Sequence, residues 1–437
     1  MQLQPTARPN LALVTIVTSL GGFLFGFDMA VVSGILPFVE RQFALSPAQQ
    51  GWFVSSALAG CIIGVIFSSD LSDRLGRKKL LFLAAILFLL TGLGCTFIPW
   101  FSWLIVARVI GGMAVGIASS VVPLYLSEIA PAHLRGRMVT CYQLAVTIGI
   151  FIAYLSNALL LTYANGQGTG TGLIGGLMIW RKMFAVGLLP AILFLLGLAS
   201  IPESPSWLAL RMKGGSVAEK EQSDYRGLLA PSLRRALWIG ILLPLFSQFS
   251  GINAIIYYGP TIMLRAGITQ ENSFLSQLIL GAVNMLFTLL AIWKVDSLGR
   301  RPLYLWGTAG AAISLFLTGL CFYTGKIDGL YLLPCVLAFL ICFSFSIGPL
   351  KFVIATEIFP DGIRAKALSL SILVMWLADT LVGQLTPMLL QGIGTAQTFW
   401  LFSLFCVLAF ITVYRLLPET KGKTFTQIQD HWKSLMH

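Results

Sequence analysis

Four charged residues interrupt runs that are otherwise apolar: Asp28, Arg108, Lys351 and Asp379. A charge in such a setting is costly, so each is expected to face a cavity and to have a partner. A carboxyl group beside an arginine is pulled two ways. The cation favours the ionised form and desolvation favours the protonated one. Asp28 beside Arg108 is therefore a group that can take up and release a proton. It can equally be a permanent ion pair that pins two helices. Lys351 and Asp379 have opposite signs and form a second candidate pair. Either they neutralise each other as packing, or they line a cavity, contact a polar or charged solute, or add a second titrating site. Chemistry that makes and breaks covalent bonds is not indicated. No nucleophile–base set, metal cluster or phosphate-binding glycine loop is present, so neither an enzyme nor a cofactor or metal is expected. The seven cysteines all lie in apolar runs, with spacing that gives neither a metal site nor a disulfide framework. The three histidines lie outside those runs, so none is an intramembrane relay.

The elements that must position these charges are long. Of 437 residues, 57% are hydrophobic and only 11% charged, with a mean hydropathy of +0.85. That is too little charge to cover a soluble globule and too much apolar content for disorder. The unbroken apolar runs exclude a membrane barrel, whose strands alternate. A membrane-crossing helix needs about 20 apolar residues. The runs give twelve spans, at roughly 11–37, 50–70, 79–99, 102–125, 138–161, 180–201, 236–264, 274–295, 302–323, 330–358, 365–391 and 397–417. Asp28 interrupts the first run where a cleaved signal peptide would be apolar. With the N-terminus inside, 22 of the 29 Lys and Arg fall on inner segments and five on outer ones. Both termini are therefore expected in the cytoplasm. The net charge of +12 is accounted for by these loops and not by nucleic acid. Asp28 and Arg108 fall in the outer halves of the first and fourth spans, which run in opposite directions, so they can meet at one depth.

The chain repeats itself. Asp73-Arg-Leu-Gly-Arg-Lys-Lys79 recurs as Asp296-Ser-Leu-Gly-Arg-Arg-Pro302. Ser127-Glu-Ile-Ala-Pro131 recurs as Thr356-Glu-Ile-Phe-Pro360, and Pro202-Glu-Ser204 as Pro418-Glu-Thr420. Each motif ends the second, fourth or sixth span of its half. The expected organisation is an N-terminal six-helix bundle at 1–201, a cytoplasmic helical linker at 202–235, a C-terminal six-helix bundle at 236–417 and a short tail at 418–437. Arg74, Arg77, Glu128, Arg135, Arg300, Glu357 and Arg364 are expected to form a cytoplasmic latch of charge-assisted pairs. Such pairs would form when that side closes and break when it opens. The competing reading is that they are ordinary inside charges with solvated partners.

Together with Gly26-Phe-Asp28, Arg108-Val-Ile-Gly-Gly112, Ser250-Gly-Ile-Asn253 followed by Tyr257-Tyr258, and Pro418-Glu-Thr-Lys-Gly422, these motifs resemble the sugar porter family of the major facilitator superfamily. The resemblance covers nearly the whole chain. It implies an all-α membrane protein with twelve transmembrane helices in two six-helix bundles around a central cavity. It implies that Asp28 and Arg108 are the proton-coupling pair. Protonation of Asp28 from outside would release Arg108 and permit closure over the solute. Sugars call for amides on their hydroxyls and an aromatic face on their C–H surface. Positions matching the family's sugar contacts are Gln143, Gln248, Asn253, Asn284 and Trp376, and Phe25, Tyr257 and Tyr258 match its gating aromatics.

The sequence departs from the family at several of these positions. Ser247-Gln248 replaces a pair of glutamines. Phe352 stands for a tryptophan, Asp379 for an asparagine and Ser206 for an arginine. Lys351 falls where family members are usually uncharged. The resulting expectation is a proton-coupled symporter importing a hexose, pentose or inositol-like polyol by alternating access. The alternatives are an uncoupled carrier of the same fold, a drug or solute–proton antiporter, and a membrane nutrient sensor. The expected partners are a small polar solute, the proton and the lipid bilayer. No nucleic acid is expected, a monomer is expected to suffice, and the setting is a bacterial inner membrane.

Overall fold

The computed structural model describes residues 10–131, 134–166, 177–212, 233–325, 329–359, 361–423 and 426–428. Among them twelve helical segments are long and apolar enough to cross a membrane. The first half contains α1 (Leu11–Phe43), α2 (Pro47–Leu75), α3 (Arg77–Phe97), α4 (Phe101–Ile129), α5 (Arg135–Gly166), α6 (Ile179–Val186), α7 (Leu188–Ala199) and α8 (Pro205–Met212). The second half contains α9 (Arg234–Phe249), α10 (Ile252–Arg265), α11 (Gln270–Leu298), α12 (Arg300–Thr324), α13 (Gly329–Cys342), a π-helical turn (Phe343–Ile347), α14 (Gly348–Ile358), α15 (Asp361–Gly392) and α16 (Thr395–Leu416). Most of the expected linker falls on 213–232, which, like 167–176, lie outside the described residues.

Local chemistry marks where helices start and break. Asn10 accepts the N–H groups of Ala12 and Leu13 at the start of α1. Ser46 and Gln49 exchange reciprocal bonds at the start of α2, a capping box. Three spans are composite. α6 meets α7 at Gly187, and α9 meets α10 at Gly251, which is left-handed (φ 82°). The third break precedes Pro349, which has no N–H to offer the carbonyl of Phe345. The register there widens, and Gly348 donates to the carbonyl of Phe343.

Packing follows from a lipid solvent. Large apolar side chains point outward; Phe67, Trp103, Leu189, Trp293 and Trp306 are all more than half exposed. Polar hydroxyls turn inward and satisfy themselves on their own helix, as Thr18 does on Val14, Thr308 on Tyr304 and Thr386 on Val382.

The chain divides into two compact units: Met1–Ile35 with Ala59–Glu221, and Leu36–Leu58 with Gln222–His437. The second therefore takes in the end of α1 and the start of α2. Ser55 donates to the Gln384 amide oxygen at 2.8 Å, and Gln384 donates to the carbonyl of Ala48 at 3.0 Å, so this segment is stitched to α15.

Candidate functional site

In the first unit, α1 and α4 bring Asp28 and Arg108 together. The Arg108 Nη1 to Asp28 Oδ2 distance is 3.0 Å. Both residues are buried, at 8% and 1% exposure. The guanidinium also lies 6.0 Å from the ring of Phe184 on α6. The carboxylate is held in place by tight packing of α1 on α5. A Cβ at Gly26 would lie 1.9 Å from the carbonyl oxygen of Val146, and one at Gly149 would lie 2.1 Å from that of Phe23. Only glycine permits that approach. Asn157 of α5 donates to the carbonyl of Val31 at 3.1 Å and fixes the same pair of helices further along. Phe25 is half-buried one turn before Asp28, and Gln143 is exposed on α5.

The second unit holds a larger polar cluster. Asn253, just past the helix break, donates to the Gln248 Oε1 at 2.7 Å and to the Asp379 Oδ1 at 2.6 Å. The Tyr257 hydroxyl donates to Asp379 Oδ2 at 3.2 Å. Lys351 on α14 donates to the Ser247 hydroxyl at 3.0 Å, next to Gln248. The Tyr258 hydroxyl, fully buried, donates to the carbonyl of Gly383. Asn284 on α11 accepts from Ser344 of the π turn at 2.6 Å, and irregular turns of this kind often serve functional sites. Trp376 is buried on α15, one turn before Asp379. Gln248, Asn253, Tyr257 and Asp379 are thus one network, Lys351 is bonded to Ser247, the chain neighbour of Gln248, and Asn284 has a partner in Ser344.

At the motif-bearing helix ends the sequence repeat becomes a structural one. In the first unit, Arg77 at the start of α3 places its Nη2 2.9 Å from Glu128 of α4 and its Nη1 2.9 Å from Asp73. Ser204 donates to Glu128, Tyr125 to the carbonyl of Pro202, and the Trp207 indole to the carbonyl of Asp73. In the second unit, Arg300 places its Nη2 2.8 Å from Glu357, and Thr420 donates to Glu357 at 2.6 Å. These pairs tie neighbouring helices within a unit. Arg74 is exposed. The side chains of Arg135 and Arg364 lie outside the described residues.

Two further carboxylates complete the knots. Glu203 accepts the backbone N–H of Lys78, and Glu419 accepts those of Arg300 and Arg301. Each caps a helix that begins after a glycine with positive φ: 100° at Gly76 and 87° at Gly299. Burial pushes the Glu419 carboxyl up, but the N–H groups of Lys421, Arg300, Arg301 and Thr420 outweigh it and hold the group below the usual carboxylate range. Sequence reasoning missed Glu203, Glu419, Ser204 and Thr420 as members of the knots, although the repeated Pro-Glu-Ser and Pro-Glu-Thr were the signal. It also missed Ser247 and Ser344 as the partners of Lys351 and Asn284. Among the described residues no group of three or more His, Cys, Asp or Glu is placed to hold a metal ion.

The chain as a whole has counterparts among known proteins. The profile of the family described as "Sugar (and other) transporter" matches residues 14–221 and again 215–432. The arabinose-proton symporter of Bacillus subtilis is 37% identical over 447 residues, covering 96% of this chain and 94% of that protein. The D-xylose-proton symporter of Escherichia coli is 33% identical over 477 residues, covering 96% and 95%. The inward-open structure of the xylose transporter XylE from E. coli superimposes with a TM-score of 0.81 at 33% identity, covering 97% of this chain and 100% of that one.

Proposed function

The chain belongs to the sugar transporter family of the major facilitator superfamily, and from that premise we propose that it imports a sugar or polyol together with a proton by alternating access. The observation that carries the coupling is the buried Asp28–Arg108 pair at 3.0 Å. A carboxylate held by one cation in an apolar bundle loses most of that attraction when it is protonated. Proton occupancy at Asp28 therefore sets whether Arg108 is engaged, and this biases α1 against α4. The arabinose-proton and xylose-proton relatives support the same reading and favour a pentose.

Solute recognition falls to Gln143, Gln248, Asn253, Asn284 and Trp376. Their amides serve sugar hydroxyls as donor and acceptor, and the indole covers a C–H face. Phe25, Tyr257 and Tyr258 act as gating aromatics. The latch residues act through two knots, one around Glu128 in the first unit and one around Glu357 in the second. The protein is a multi-pass membrane protein. We place it in a bacterial inner membrane as a monomer, with both termini in the cytoplasm.

The test is uptake of radiolabelled pentoses, hexoses and inositol into proteoliposomes, with and without an inward proton gradient. The gradient should drive accumulation of at least one sugar, and sugar entry should carry protons. Asp28→Asn should lower the proton-to-sugar ratio while sugar exchange persists. An unchanged ratio in that variant removes Asp28 from coupling. Sugar movement indifferent to the gradient in the unaltered protein leaves the uncoupled carrier as the answer.

A further inference from the structure

Asp379 is a carboxylate where an asparagine would make the same contacts. It accepts from Asn253 at 2.6 Å and from Tyr257 at 3.2 Å, and a side-chain amide oxygen can accept both bonds. What the acid adds is a place for a proton. It is 3% exposed and sits inside the network proposed to hold the solute. The groups facing it are few. α10 presents Asn253, Tyr257 and Tyr258, and α14 presents Lys351; the α9 residues Ser247 and Gln248, both neutral, bond to Lys351 and Asn253 in turn. α2 presents Ser55 to Gln384, further along α15. α16 carries its one basic residue, Arg415, in its last turn. Among the described residues Lys351 is the cation whose field reaches Asp379.

We propose that Asp379 is a second proton-binding group of the transport cycle, wired directly to the solute-binding amides, so that two protons accompany each solute. The Asn253 amide has two N–H groups. With Asp379 ionised, one goes to Gln248 and the other to Asp379, and the solute finds only the Asn253 oxygen. A proton arriving from outer water on the Asp379 carboxyl weakens it as an acceptor. That frees an Asn253 N–H, and the Tyr257 hydroxyl, for solute oxygens. The carboxyl O–H itself becomes a donor. Loss of the proton to inner water restores the internal bonds and expels the solute's. Proton and solute thus bind cooperatively, because the proton releases the donors that the solute takes.

This inference rests on the proton-coupled reading above, and one measurement separates the two. In proteoliposomes with the membrane potential clamped to zero, arabinose or xylose (whichever the uptake panel ranks first) is loaded to find the sugar gradient that exactly opposes a tenfold proton gradient. Two protons per sugar give balance at about a hundredfold sugar gradient, and one proton at about tenfold. The unaltered protein should balance near hundredfold and Asp379→Asn near tenfold. Asp28→Asn gives a reading that does not need the first variant to fold, and it too should balance near tenfold. A tenfold balance in the unaltered protein overturns the role of Asp379 and leaves Asp28 coupling intact. A hundredfold balance retained by Asp379→Asn, or a balance at unity in Asp28→Asn, also overturns it. Balance at unity in the unaltered protein removes proton coupling altogether.

Discussion

The carboxylate of Glu203 accepts the backbone N–H of Lys78 at 3.0 Å, so a residue beyond the sixth span caps the helix of the third. The first N–H groups of a helix have no partner of their own, and a carboxylate there also opposes the positive end of the helix dipole. Glu203→Ala should therefore destabilise the protein by about 1–2 kcal/mol. Glu419→Ala should do the same at the start of α12. The two share no hydrogen-bond partner, so their effects should add in the double variant. Thermal unfolding in detergent, followed by a thiol-reactive or intrinsic fluorescence signal, measures all three.

Arg77 and Glu128 form the more buried of the two duplicated ion pairs, with side chains 4% and 14% exposed against 11% and 26% for Arg300 and Glu357. Removing Glu128 leaves the buried Arg77 with Asp73 as its remaining carboxylate among these knots. Glu128→Gln should cost about 2 kcal/mol in stability. Arg77→Lys should cost nearly as much, because an ammonium cannot serve Glu128 and Asp73 with the same fork. Glu357 is less deeply buried, with a side chain 26% exposed against 14% for Glu128. Glu357→Gln should therefore be the milder change. Melting curves of the three variants side by side decide the order.

Some of this was legible in the residues and some was not. Hydropathy and charge placed the twelve spans, because a lipid solvent forces every span to announce itself in sequence. Asp28 and Arg108 stood out because a charge in an apolar run has few places to go. The cluster around Asp379 was only half legible. Its members could be named by type, but the bond from Asn253 to Asp379 joins residues 126 positions apart, and no local pattern encodes it. The capping role of Glu203 was hidden for the same reason. The grouping of Leu36–Leu58 with the second unit depends on Gln384 reaching Ser55 and Ala48, a side-chain detail that periodicity does not carry.

The Asp28–Arg108 pair makes a prediction about stability that is independent of transport. Arg108 is 1% exposed, so Asp28→Asn leaves a buried cation with less compensation. Arg108→Gln leaves the less deeply buried charge, at 8% exposure against 1% for Arg108. Asp28→Asn should therefore be the more destabilising single change. The double variant Asp28→Asn/Arg108→Gln should recover at least about 1 kcal/mol relative to the sum of the singles. A double-variant cycle on melting temperature, run at neutral pH, reads this coupling. Strict additivity would mean that the two side chains do not interact.

Glu419 makes the stability of the second unit depend on pH in a known direction. Its carboxyl lies below the ordinary range when folded and returns to about 4.3 when unfolded. The unfolded state therefore binds more protons between those values. The stabilisation is full above the unfolded value and disappears as pH falls through the folded one. Glu419→Gln should thus lower the melting temperature at pH 7 and make little difference at the most acid pH the protein tolerates. The gap between the two curves should close only below about pH 4.3. A gap that stays constant across this range would assign the effect to packing.

Gly251 sets the break between α9 and α10, and it places Asn253 and Tyr257 against α15. Its φ is 82°, and a Cβ there would meet the Phe402 ring at 2.4 Å. Alanine faces two penalties. The left-handed backbone costs about 1 kcal/mol for a residue with a side chain, and the ring of Phe402 must move. Gly251→Ala should lower stability by about 2 kcal/mol in total. It should also weaken sugar binding, because Asn253 follows by only two residues. Phe402→Leu in the same chain makes room for the methyl but does not change the backbone. It should return part of the stability and little of the sugar affinity. Melting curves and equilibrium binding of the two variants separate these contributions. Full recovery of affinity in the double variant would show that the ring, and not the left-handed turn, positions the asparagine.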